Sequence, residues 1–116
     1  MWNRERVVNS TIEFFACLCE NLSLNGSLEE NQMGDSFMTI IAPDGGKRRI
    51  MIIPELLLEV VDGWDKSRAI WELRNHLLHR LVVGDIESTP TTELTVDDFN
   101  YFQELNLRLY DFMSQI

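Results

Sequence analysis

FMTIIAPDGGKRRIMII, residues 37–53, holds two β-rich runs on either side of Pro43-Asp44-Gly45-Gly46. Proline presets φ, aspartate tolerates a tight turn and glycine permits positive φ, so the stretch predicts an antiparallel hairpin pairing residues 37–42 with 47–53. Upstream, Val7, Val8, Ile12, Phe15, Ala16 and Cys19 recur at helical spacing, which predicts an amphipathic helix over Trp2–Leu22 stopped by Asn25-Gly26. Residues Ser27–Ser36 are polar and acidic and read as a mobile loop. Downstream, Pro54 and Glu55 suit the first turn of a short helix through Val61, closed by Asp62-Gly63.

Asp65 then opens a longer helix to about Val83, with Ile70, Leu73, Leu77 and Leu81 as its apolar stripe and Trp71 and Leu78 widening it. After a loop containing Thr89-Pro90-Thr91-Thr92, Thr95-Val96-Asp97-Asp98 reads as a capped helix start. Phe99, Phe102, Leu105, Leu109, Phe112 and Ile116 carry the helical period to the end. The predicted fold class is α+β and mainly helical: about four helices, with one β-hairpin inserted after the first, in a single domain over residues 1–116.

At 45% hydrophobic and 25% charged, 116 residues supply one modest core. Asn9, Ser10, Thr11 and Glu13 interrupt what would have to be the apolar region of a signal peptide, and no apolar run approaches membrane-spanning length. The expectation is a cytoplasmic protein with no membrane partner. A formal charge of −9 argues against a dedicated duplex-DNA binder, which needs a basic stripe to neutralise phosphates. The acids Asp85, Glu87, Glu93, Asp97, Asp98, Glu104 and Asp111 of the last third are opposed only by Arg108. This is a solvated face kept for solubility or a surface for a basic partner protein.

Several chemistries find no support. GxxxxGK[ST], GxGxxG and GxSxG are absent, and Asp44-Gly45-Gly46-Lys47 sits in a hairpin turn rather than between a strand and a helix. Cys17 and Cys19, two apart on a helix, lack CxxC spacing and read as thiols of which at least one is buried. His76 and His79 are three apart, but HExxH is missing and no carboxylate obviously completes a metal site. No cofactor and no metal is expected.

ELRNHLLHR, residues 72–80, concentrates Arg74, Asn75, His76, His79 and Arg80 on an apolar helix. The order Arg74, Asn75, three residues, His79, followed after a short acidic loop by a capped last helix, resembles the HEPN superfamily of small helical domains over Trp71–Ile116. Trp71 and Leu73 fit that family's hydrophobic approach to the motif. Leu81 stands where many members carry tyrosine, and the hairpin at 37–53 lies outside the family's helical core. The resemblance implies a metal-independent endoribonuclease of a toxin–antitoxin or antiviral system, with Arg74, Asn75 and His79 as catalytic residues and RNA as substrate.

The residue chemistry suits such a reaction. Histidine can move the proton of an attacking 2′-hydroxyl near neutrality, and an arginine fork matches phosphate oxygens. Arg74 and His79 are separated by about 140° around a regular helix, so a common cleft calls for a two-fold homodimer. The competing readings are a wet helix stripe of Arg68, Glu72, Asn75 and His79, a non-catalytic module on the same scaffold, and a small acidic interaction protein such as an immunity protein or a phage-encoded inhibitor of a nucleic-acid enzyme. Phe99, Phe102, Leu109 and Phe112, with Trp71 and Leu78, exceed what one helix contact needs and predict a homodimer interface. Lys47-Arg48-Arg49 reads as edge-strand charge that could also grip RNA or an acidic partner.

Overall fold

The computed structural model describes residues 1–85 and 93–115. The predicted loop at Thr89-Pro90-Thr91-Thr92 and the terminal Ile116 lie outside them. The order is α1 (Arg4–Leu22), β1 (Gly26–Glu30), β2 (Ser36–Ile41), β3 (Lys47–Met51), α2 (Pro54–Val61), α3 (Lys66–Val83) and α4 (Val96–Met113). The fold is α+β and mainly helical, with the hairpin following the first helix. Caps set the helix boundaries. Asn3, Asp65 and Thr95 side chains accept from the N–H groups of Arg6, Arg68 and Asp98, satisfying donors that the first turn leaves orphaned. Ser23 ends α1 in the left-handed region at φ 54°, its N–H donating back to Cys19 and Glu20.

The hairpin belongs to a three-stranded antiparallel sheet in the order β1-β2-β3, so the stretch 27–36 is not wholly a loop. The extra strand was hidden because Gly-Ser-Leu-Glu-Glu has weak intrinsic strand preference; its order comes from pairing with β2, Leu28 opposite Met38 and Glu29 opposite Phe37. Gly26 leaves room for α1 there, because a Cβ would press on the Cys19 sulfur and crowd the Phe15 ring, so one of them would have to shift. Central strand β2 is covered on both faces: Phe37, Met38, Thr39 and Ile40 are all buried. That double burial explains its continuous apolar run.

One hydrophobic cluster joins Val7, Phe15 and Leu18 of α1, Met38 and Ile40 of β2, Leu57 of α2, Leu73, Leu77 and Leu81 of α3, and Phe102, Leu105 and Leu109 of α4. Leu78, Phe102 and Leu109 are buried in it, and Phe112 packs on Phe14 at 6.2 Å. Much of the apolar surface that sequence reading assigned to a dimer interface is therefore used inside the chain. Trp71 and Phe99 remain exposed, joined on α4 by Val96, Leu107 and Tyr110. No helix among the described residues is long and apolar enough to cross a membrane.

Two polar ties hold the sheet to the helices. Asp98, 2% exposed at the start of α4, accepts from the backbone N–H groups of Asp44 at 3.1 Å and Gly46 at 2.9 Å, while the Thr95 hydroxyl donates to the Asp44 carboxylate at 3.0 Å. A Cβ on Gly46 would lie 2.5 Å from the Asp98 carboxylate, so this glycine gives the room in which the turn docks. The second tie is Arg48, described with the site below.

Candidate functional site

α3 runs unbroken through Arg74-Asn75-His76-Leu77-Leu78-His79, with Leu73, Leu77, Leu78 and Leu81 buried. Arg74 and His79 are exposed and Asn75 is half-buried. The Arg74 guanidinium leans over the Phe14 ring of α1 at 5.4 Å, beside a small recess of about 130 Å³ that also involves Ser10, Glu13 and Ile70. His79 lies about 140° farther round the helix. One chain thus leaves the two heads on different parts of the α3 surface, as their spacing predicts. On the wet stripe, Arg68 Nε donates to Glu72 at 2.8 Å and its guanidinium lies between Trp64 and Trp71, at 4.9 and 4.6 Å from the ring centres.

The neighbouring polar residues of the same stretch serve structure. Arg80 forms a shielded pair with Asp85, its Nε donating at 3.1 Å, and Asp85 also accepts from the Met51 N–H at 3.1 Å, which covers an edge donor of β3. His76, set aside in sequence as a weak metal ligand, is half-buried next to this pair, and its Nε2 is shut away from solvent with no hydrogen-bond partner among the described residues. Burial first, and the Arg80 charge second, hold the imidazole below the ordinary histidine value. A histidine kept neutral by the fold stabilises it above that ordinary value, and the contribution is lost as pH falls toward the depressed folded value. His76→Gln is therefore expected to flatten the decline in thermal midpoint between about pH 7 and pH 5 relative to wild type; parallel declines in the two proteins would refute this.

Lys47-Arg48-Arg49 is divided by the strand period. Lys47 pairs with Glu29 at 3.2 Å, and Arg49, 3.6 Å from the same carboxylate, lies over the Phe37 ring at 4.4 Å. Arg48 points the other way, donating to the Leu81 carbonyl at 2.7 Å and the Asn106 side chain at 2.6 Å while stacking over Phe102. Burial pulls its pKa below the usual arginine value. Arg48 joins β3, α3 and α4 and is not offered to RNA. Burial also pushes the Cys19 thiol up to about 11, so it behaves as a small apolar side chain. No group of three or more His, Cys, Asp or Glu side chains among the described residues is arranged to hold a metal.

Two open clefts flank α2. The larger, about 550 Å³, has Val8, Ile12, Leu28 and Pro54 among its apolar residues and Glu30 and Asp35 among its acids. Its Arg4 is paired with Glu55. The second, about 490 Å³, is walled by Trp2, Leu58, Val61 and Trp64 with Glu59 and Asp62 beside them. Neither cleft was foreseen. A tryptophan in the polar turn Asp62-Gly63-Trp64-Asp65 was the available signal, since a large ring has no reason to sit in a solvated turn for packing alone.

Comparison with known proteins gives partial likenesses. The chain is 31% identical over 77 residues to the small ribosomal subunit protein bS6 of Rhodococcus opacus (strain B4), covering 64% of this chain and 70% of that protein. The bS6 protein of Rhodococcus jostii (strain RHA1) matches to the same extent. An uncharacterized protein of Rickettsia prowazekii (strain Madrid E) is 29% identical over 79 residues, and the chain spans 8% of its length. No protein-family profile matches the chain, and no solved structure matches it. These likenesses bear on neither the HEPN resemblance nor the inhibitor reading.

Proposed function

We propose that this chain is a small acidic, non-catalytic interaction protein that binds a basic partner protein in the cytoplasm, in the manner of an immunity protein or an inhibitor of a nucleic-acid enzyme. The observation that carries this reading is the character of the two open clefts: both combine apolar walls with carboxylates, and the one cationic side chain among their described residues, Arg4, is paired with Glu55. Cations suited to nucleic acid are scarce, because most of the ten lysines and arginines already hold internal partners. Arg68 and Arg80 pair with acids, Lys47 and Arg49 meet Glu29, Arg48 is buried in contacts, and Arg108 donates to the Leu22 carbonyl. An apolar contact ringed by negative charge gives affinity through burial and selects a positive partner through long-range attraction.

The acids responsible differ from those that dominate the sequence. Asp98 and Asp85 of the last third are consumed in structural bonds, whereas Glu30, Asp35, Glu59 and Asp62 line the clefts. The test is capture on the immobilised protein followed by salt elution. Retained polypeptides should be strongly basic and should leave as ionic strength shortens the Debye length to a few ångströms, about 3 Å at 1 M. Retention of RNA, or of acidic proteins indifferent to salt, would overturn the reading.

A second reading is the HEPN-like, metal-independent endoribonuclease. It is favoured by the exposure of both Arg74 and His79, since a phosphate must reach each head. In that reading Arg74 binds the scissile phosphate, His79 transfers the proton, Asn75 orients one of them, and a second copy completes the cleft through Trp71 and the exposed apolar residues of α4. It predicts a homodimer by light scattering at high micromolar concentration. A monomer there would remove it.

A further inference from the structure

We infer that the groove between the segment ahead of α1 and the α2–α3 turn is the docking site for an arginine- or lysine-bearing apolar segment of the basic partner. This inference rests on the interaction-protein reading and assigns it to one surface. The groove is walled by Trp2, Leu58, Val61 and Trp64, and its charged side chains, Glu59 and Asp62, are both acids, set against the Met1 ammonium at one end. Its volume of about 490 Å³ falls in the range that holds several side chains of a ligand. Trp64, just ahead of the Asp65 cap of α3, is 49% exposed, so a large apolar surface beside the groove meets solvent even with Arg68 over the ring.

Charge decides the occupant. An acidic or neutral segment would bury Glu59 and Asp62 against like charge or against nothing, whereas an arginine or lysine pairs with them and lays its stem and cation on an indole face. The molecule already uses its tryptophans in this way, with Arg6 at 4.1 Å over Trp2 and Arg68 at 4.9 Å over Trp64. The other cleft is a weaker candidate for this chemistry, because its apolar lining has no aromatic ring to take a cation and its Glu29 and Glu55 are already paired with Lys47, Arg49 and Arg4. Tryptophan and arginine are also the side chains that most often dominate binding energy at protein interfaces.

The experiment titrates the intact protein with two synthetic amphipathic peptides, one alternating arginine and leucine and one alternating glutamate and leucine, read by amide chemical shifts and by calorimetry. The arginine peptide is expected to bind and to shift amides around Trp2, Leu58 and Trp64, and the glutamate peptide is not. The paired variant Glu59→Gln, Asp62→Asn keeps side-chain shape and should weaken binding about tenfold, as should Trp64→Ala, while Glu30→Gln, Asp35→Asn at the other cleft should leave affinity unchanged. Circular dichroism on each variant separates lost binding from lost folding. Arginine-peptide binding that survives the groove variants but falls with the Glu30 and Asp35 variants would overturn the assignment of the groove while leaving the interaction reading in place. Absence of arginine-peptide binding to the wild type, or equal binding of both peptides, would overturn both.

Discussion

Replacing Asp98 with alanine is expected to lower the thermal midpoint by about 10 °C, corresponding to about 2–4 kcal/mol in a chain of this size. Two backbone donors in the hairpin turn, those of Asp44 and Gly46, end on its two carboxylate oxygens, and its own N–H is held by Thr95. Removing the acceptor strands donors in a partly shielded turn, and a carboxylate at the start of α4 also interacts favourably with the helix dipole. Asp98→Asn should be nearly as damaging, because an amide accepts at one atom only and turns its NH₂ toward the second donor. Gly46→Ala should lose stability by the reverse route, its methyl entering the space of the carboxylate. A midpoint for Asp98→Asn within about 2 °C of wild type, by a melt followed at the tryptophans, would show that the turn does not depend on this acceptor.

Arg48→Met is expected to cost about 2–3 kcal/mol. The guanidinium joins three elements, bonding the Leu81 carbonyl near the end of α3 and the Asn106 side chain on α4 while covering Phe102. Methionine can replace the stem but leaves both acceptors without their donor. Arg48→Lys should recover only part of the loss, since a single ammonium lacks the planar fork that stacks on a ring while bonding two acceptors. The check is chemical denaturation, in which the midpoint should shift while the slope stays constant. Equal stability of wild type and Arg48→Met would mean that water serves Leu81 and Asn106 equally well.

Local signals carried most of the fold. The Pro-Asp-Gly-Gly turn, Pro54 at a helix start, and the caps Asp65 and Thr95 act over three or four residues and could be read directly. β1 could not, because a five-residue polar strand exists through its partner β2 and through Gly26 approaching α1, both long-range facts. The same distinction governs the sites. Arg74, Asn75 and His79 were legible as a motif on one helix, and their divergence around that helix followed from its pitch. Asp98 looked like an ordinary first-turn acid, and nothing within its own segment shows that it reaches a turn 52 residues earlier. Arg48 likewise looked like edge-strand charge until α3 and α4 closed over it. The groove needed Trp2 and Trp64 together, and only the packing of α1 against α2 brings those segments to one place.

As an interaction protein, the proposed chain acts by binding and leaves RNA uncut. The most direct measurement is the length of tRNA and mRNA after incubation with the protein in excess chelator, with wild type beside the Arg74→Ala, His79→Ala double variant. Intact RNA is expected in both reactions. Chelator-resistant cleavage by the wild type that disappears in the double variant would contradict it and establish the endoribonuclease reading in its place.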